Sequence, residues 1–206
     1  MTPRPSQSAE HRIARVVICG GRSSRMGVDK SSLVAGGRTF LRIAVDRLRK
    51  VASIDGAVPG PVWINGRSTI RGGADDVFPD DASVAGGGPM GGLMTVLERC
   101  QTDGCTGAIV TPVDTPRLAA EHLRMILGAA GRCDPPWAVP VVARSDRTEP
   151  LIGYYPATSA GDLRRRLESG DRSLFRWVGS IEHETLALPV GVCRNINTPE
   201  QYESIR

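Results

Sequence analysis

The stretch VVICGGRSSRMGVDK, residues 16–30, decides the fold. Val16, Val17 and Ile18 form a short apolar strand that runs through Cys19 into the pair Gly20 and Gly21. Two residues without a Cβ let the backbone turn sharply and approach a ligand closely. The N–H groups of a turn that opens in this way converge on an anion. Arg25 offers a planar fork matched to phosphate oxygens, and Lys30 a mobile point charge that can follow the β- or γ-phosphate of a nucleotide. The segment contains no G-x-x-x-x-G-K-[ST] string, so it is not a Walker A loop, and it is not a dinucleotide fingerprint either.

On either side of this loop, apolar runs suited to strands alternate with helical periodicity, the pattern of an α/β domain with a largely parallel sheet. Leu41, Ala44, Val45, Leu48 and Val51 recur at helical spacing, which predicts an amphipathic helix over 39–51. Strands are expected over 61–65 and 76–78, then a helix over 90–100 entered through the glycine-rich stretch 86–92. Residues 107–113 form a continuous apolar run suited to a buried central strand, ending at Asp114. A helix over 118–130, a strand pair 138–143 and 150–155 across the turn 145–147, and a helix over 162–169 follow. The chain is expected to close with a short strand through Cys193 and Asn195 and a helix beginning near Thr198, with Pro199 in its first turn. Residues 1–12 read as a disordered tail and 13–206 as one domain.

Composition narrows the function classes. Lys and Arg number 26 against 22 Asp and Glu, a net charge of +4 with a pI near 9.0, and the only dense basic run is Arg164, Arg165 and Arg166. With aromatics at 4% there is no stacking platform for nucleic acid, and the mild excess suits a polyanionic small substrate. The five cysteines are odd in number and lack a C-x-x-C pair, which argues against a disulfide framework or a zinc site. The three histidines share no ligand spacing. Neither a membrane span nor a secretory leader is legible, so the expected location is cytoplasmic.

A carboxylate at the carboxyl end of a buried strand is where open α/β sheets place their ligands. Asp114 stands there, and one such group can hold Mg²⁺ when phosphates and water complete the octahedron; an Asp before Thr-Pro also suits a helix N-cap. Asp80 and Asp81 follow an expected strand, and Asn65 closes another with an amide that could donate and accept toward a base or ribose. The segment GGGPMGG, residues 86–92, contains a formal G-x-G-x-x-G. Pro89 has no N–H to give a phosphate, and no clear strand precedes the segment, so a dinucleotide reading fails.

Residues 16–30 closely resemble the opening signature L-A-G-G-x-S-x-R-M-G-x-D-K of the MobA-type molybdenum cofactor guanylyltransferases, with Gly20, Gly21, Ser23, Arg25, Met26, Gly27, Asp29 and Lys30 all matching. The resemblance continues through a D-T-P at Asp114, a G-P-[LM]-x-G element reaching Gly92, and N-[IV]-N-T-P-E at Asn195 and Asn197. It implies a Rossmann-like nucleotidyltransferase domain, a mostly parallel mixed sheet sandwiched between helices. It implies transfer of GMP from Mg-GTP to the terminal phosphate of molybdopterin, or molybdenum cofactor. By resemblance Arg25, Lys30 and Asp114 serve catalysis. Ile18, Cys19, Gly20, Gly21, Asn65, Asp80 and Gly92 join them in binding the nucleotide, Asp114 holds the metal, and Asn195 and Asn197 meet the second substrate. Whether Asp80 or Asp81 is the site residue stays open. Molybdenum insertion proteins and molybdoenzyme chaperones are possible protein partners; nucleic acid and membrane are not expected. The rival readings are a cytidylyl or sugar-1-phosphate nucleotidyltransferase, and a GTP-binding delivery protein without turnover.

Overall fold

The computed structural model describes residues 10–19, 29–54, 56–66, 68, 71–84 and 86–205. Among the described residues nine strands and six α-helices are interspersed. They are β1 (His11–Ile18), β2 (Val34–Ala35), β3 (Arg38–Thr39), α1 (Phe40–Arg49), β4 (Ala57–Asn65), β5 (Asp76–Phe78), α2 (Gly88–Thr102) and β6 (Gly107–Pro112), then α3 (Ala120–Arg132), β7 (Val141–Arg144), β8 (Thr148–Pro156), α4 (Ala160–Glu168), α5 (Leu174–Val178), β9 (Glu184–Ala187) and α6 (Pro199–Glu203). Seven strands form one sheet in the order β5-β4-β1-β6-β8-β7-β9, and β2 and β3 make a separate small hairpin. Pairing is parallel from β5 to β6 and antiparallel at β8, with β9 parallel to β7. The expected mixed, mostly parallel sheet between helical layers is the fold observed.

The alternation of β1 shows how the layers arise, because successive side chains of a strand point to opposite faces. Ile13 and Val17 join the core beneath α1 and α3, while Ala14, Val16 and Ile18 join the core beneath α2, α4 and α5. Every residue of β6 is buried, as a strand covered on both faces requires. Helix α1 starts where the side chain of Thr39 accepts from the Arg42 N–H, satisfying one of the donors a helix N-terminus leaves free. At the sheet edge, Arg99 lies over the Trp63 and Phe78 rings, 4.6 and 4.4 Å from their centres, and pairs with Asp76 at 2.8 Å. A cation over two ring faces ties the three-residue β5 to α2.

Several expectations need correction. His11 and Arg12, assigned to the tail, are the first residues of β1, since His11 N–H donates to Gly56 O at 3.0 Å and the strand finds a parallel partner in β4 at once. Residues 1–9 lie outside the described residues. No strand runs through Cys193 and Asn195; Pro189 and turns at 190–193 break regular pairing there, and Cys193 is buried in an irregular segment. The strand that pairs with β7 comes earlier, at β9. Helix α5, too short for a periodic signal, was not expected. No described helix is long and apolar enough to cross a membrane.

Candidate functional site

The carboxyl ends of β4, β1 and β6 lie side by side, because Ile18 is in register with Asn65 on one side and Pro112 on the other. Past Ile18 the Cys19 N–H donates to Asn65 O at 2.7 Å, extending the pairing by one residue. The chain then turns at Gly66, whose φ is +133°; a Cβ there would stand 2.4 Å from Cys19 O. Only glycine fits this crossing. Gly20, Gly21 and Arg25 lie outside the described residues.

On the β4 side, Asn65, Asp80 and Gly92 come together. Asn65 is fully buried, and its Nδ2 reaches Phe78 O only at 3.5 Å. A Cβ placed on Gly92 would lie 2.6 Å from Asn65 Oδ1, 3.4 Å from Asp80 Oδ1 and 3.6 Å from Ile18 Cγ2. The bare backbone of α2 therefore leaves room for two buried oxygens that have no hydrogen-bond partner among the described residues. Asp81 is engaged elsewhere: its Oδ1 accepts from Ser83 N at 2.8 Å and from Ser83 Oγ, contacts that hold its carboxyl below the ordinary range. An unpaired buried acceptor costs about 1–3 kcal/mol, so these two oxygens need a donor that the described residues do not supply.

On the β6 side, Lys30 Nζ donates to Asp114 Oδ2 at 2.6 Å and to Asn197 Oδ1. The pair is largely withdrawn from solvent, with side chains 18% and 13% exposed. Ile196 N–H donates to Asp114 O at 2.9 Å, so the segment before α6 closes this corner. Thr198 caps α6 with a reciprocal contact to Gln201, and the Tyr202 hydroxyl donates to Val34 O at 2.9 Å and accepts from Val34 N at 3.2 Å. The resemblance assigned Asn197 to the second substrate; here its side chain holds the lysine. The buried Asn195 Oδ1 has no partner among the described residues.

A cleft of about 430 Å³ opens in front of Lys30 and Asp114, with Asp29 on its wall. Ile18 and Cys19 form its inner rim, and burial together with the charges of Asp29 and Asp114 pushes the Cys19 thiol up to about 12, so it stays a neutral, small apolar group. The far wall comes from Glu149 on β8 and from Arg172 and Phe175 at α5, the last 62% exposed. The sequence did not point to Arg172 or Phe175, since whether an aromatic is exposed shows only once the chain is folded. Glu149 accepts from Arg147 Nε at 2.9 Å.

No group of three or more His, Cys, Asp or Glu side chains able to hold a metal exists among the described residues. A hard divalent ion held by one or two carboxylates and by ligand phosphates needs no such cage. Asp114, with an ammonium already drawn to its Oδ2 and Asp29 on the same cleft wall, fits that minimal donor set.

A lysine–aspartate pair and buried unpartnered acceptors lie at the carboxyl ends of a mostly parallel α/β sheet, which is where such sheets place their ligands. Residues 15–185 match the MobA-like NTP transferase domain, and the chain belongs to that family. It is 33% identical over 189 residues to a probable molybdenum cofactor guanylyltransferase of Rhodopirellula baltica, covering 89% of this chain and 87% of the relative. In structure it is similar to Rv0371c from Mycobacterium tuberculosis, with TM-score 0.68, 25% identity, and 94% and 97% of the two chains covered. It shares the fold of molybdopterin-guanine dinucleotide biosynthesis protein A from Archaeoglobus fulgidus, with TM-score 0.65, 19% identity, and 94% and 96% covered.

Proposed function

We propose that this nucleotidyltransferase moves GMP from GTP to the terminal phosphate of molybdopterin, giving the guanine dinucleotide and pyrophosphate. The observation that carries the reading is the Lys30–Asp114 pair at the head of the cleft, within a family whose curated relative bears that activity in its name. An oxygen of the acceptor phosphate forms a bond to the α-phosphorus of GTP, and the bond from that phosphorus to the bridging oxygen of pyrophosphate breaks. The acceptor phosphate is already ionised near neutral pH, so no general base is required. Catalysis is then mostly positioning and charge neutralisation.

Lys30 serves by leaving Asp114 and Asn197 for the triphosphate, where its ammonium balances the charge that gathers on the leaving pyrophosphate. Arg25 supports this from the glycine loop. Asn65 and Asp80 present acceptors to the N–H edge of guanine or to ribose hydroxyls, with Gly92 keeping the approach open. Asp114, with Asp29 at hand, would hold Mg²⁺, which would supply charge neutralisation and polarisation of phosphate oxygens. The wall of Glu149, Arg172 and Phe175 lies on the side from which the acceptor enters, with Asn195 beside it. The assignment to the cytoplasm, and molybdenum insertion proteins or molybdoenzyme chaperones as partners, rest on this reading.

Purified protein, molybdopterin, Mg²⁺ and each of the four ribonucleoside triphosphates test it through pyrophosphate release. GTP is expected to exceed CTP and ATP in kcat/KM by about two orders of magnitude, since a site built to pair a base edge rejects one that leaves its groups unpaired. CTP equal to GTP would replace the reading with cytidylyl transfer. GTP bound without pyrophosphate release would replace it with a delivery role.

A further inference from the structure

Arg47, on the last turn of α1, is 5% exposed and takes part in none of the ion pairs among the described residues. Its acceptors are neutral oxygens of one loop. Nη1 donates to Thr115 O at 2.7 Å and Leu118 O at 2.9 Å; Nη2 donates to Thr111 Oγ1 at 2.9 Å and, more distantly, to Pro112 O at 3.5 Å. Nε has no partner among the described residues. A buried cation with no carboxylate partner is costly, and an apolar side chain of similar length would fill the space without that cost. The two nitrogens reach both limbs of the loop, the end of β6 and the entry to α3, with Asp114 between them. Asp114 faces the cleft on one side of this loop while Arg47 lines a groove on the other.

From this geometry we infer that Arg47 is a positioning residue for Asp114: its guanidinium ties the two limbs of the 111–118 loop from beneath and fixes where the carboxylate meets the metal–nucleotide. Five N–H donors fixed in one plane can serve acceptors on both limbs at once. An ammonium carries its three donors on a single atom and cannot span them. Burial lowers the Arg47 pKa to about 10, so the side chain still carries its charge at neutral pH. The inference rests on Asp114 as the metal ligand in the reading above and goes beyond it, because Arg47 touches neither nucleotide nor metal.

The test measures Mn²⁺ binding by electron paramagnetic resonance at saturating GTP, and GTP binding without metal by calorimetry. Wild type, Arg47→Met, Arg47→Lys and Asp114→Asn are compared, with near-ultraviolet circular dichroism as the check of folding. Arg47→Met should weaken Mn²⁺ by about tenfold or more, the usual loss when a group orienting a metal ligand is removed, while metal-free GTP binding stays within about twofold. Arg47→Lys should fall between. A merely structural role would lower both affinities together. Mn²⁺ binding within about twofold of wild type in Arg47→Met, or in Arg47→Lys if the former does not fold, together with loss in Asp114→Asn, overturns the Arg47 inference alone. Undiminished Mn²⁺ binding in Asp114→Asn overturns the metal assignment, and the inference with it.

Discussion

Gly92→Ala separates folding from binding at one atom. In an ordinary helix interior this substitution stabilises by about 0.5–1 kcal/mol, because alanine loses less backbone freedom. Here the new methyl would stand 2.6 Å from Asn65 Oδ1. That is well inside the usual carbon–oxygen contact, so the oxygen must retreat by several tenths of an ångström or more. Asn65 is fully buried on a strand flanked by two others. The strain costs about 1–3 kcal/mol and cancels the helical gain, leaving stability nearly unchanged or slightly reduced. Binding has no such compensation. The methyl would also approach Asp80 Oδ1 to 3.4 Å and fill the space between two unpartnered acceptors. Loss of one buried hydrogen bond to the nucleoside, about 1–3 kcal/mol, corresponds to roughly 5- to 150-fold in the Kd for GTP. Calorimetry with GTP and with guanosine, alongside thermal melts, reads both quantities. Because the methyl lies at the nucleoside side, the two ligands should weaken by similar factors. Wild-type affinity for guanosine in a protein that melts normally would refute the placement of the nucleoside against Gly92.

Other perturbations test the opposite corner and the frame. Lys30→Met should weaken GTP far more than guanosine, and should tighten Mn²⁺ binding without nucleotide, since it removes the ammonium that sits on Asp114 Oδ2; unchanged Mn²⁺ affinity would count against the shared position. Tyr202→Phe deletes both hydroxyl contacts to Val34 while keeping the ring against Phe40, and should cost no more than about 1 kcal/mol in a thermal melt while leaving GTP affinity within about twofold, since Lys30 gives up Asn197 when the triphosphate binds; a larger loss of affinity would count against that exchange. At Asp75 burial pushes the carboxyl pKa up, but the Val62 N–H and the Arg49 guanidinium outweigh it and hold the group below its usual range. A depressed carboxyl stabilises the fold above its unfolded pKa, about 4, and that contribution is lost as pH falls through the lower folded value. Asp75→Asn should therefore melt below wild type at pH 7, the gap closing as pH drops under about 4; a gap that persists at pH 2 would show that shape and not charge matters there.

What the sequence made legible, and what it hid, follows from the range of the interactions. Strand β1, helix α1 and the all-apolar β6 are visible because their periodicity is local; the end of β6 brings Asp114 into view, though position alone left it divided between a ligand site and a helix N-cap. The asparagine pair at 195 and 197 was visible as a motif, but its partner was not. Asn197 meets Lys30 across 167 positions of chain, a contact that no local pattern encodes. The same holds for Arg47, which looks like one more charged residue on an amphipathic helix until the 111–118 loop is folded over it. Helix α5 and strand β9 are too short to establish a period, and the expected strand at Cys193 failed because an apolar residue can be buried without being paired. The choice between Asp80 and Asp81 was invisible for a different reason: adjacent residues of an extended segment point to opposite sides, and a single shift of register exchanges them.

The reversal of direction at β8 divides the cleft into a parallel and an antiparallel half. Among the described residues, those proposed to grip the nucleotide come from 18–114, on or beside the parallel half of the sheet, while the far wall comes from the antiparallel strand at Glu149 and from α5. Within the sheet these two portions meet at the β6–β8 seam, where four residue pairs are in register. Arg164 pairs with Glu98 of α2 at 2.6 Å and Arg172 donates to Gly86 O at 3.3 Å, so changes that recut the far wall would have to spare these contacts to leave the Asn65 pocket undisturbed. A scaffold partitioned in this way can exchange one acceptor for another over evolutionary time while its donor chemistry stays fixed, and a protein engineer would begin at Glu149 and Phe175 for the same reason.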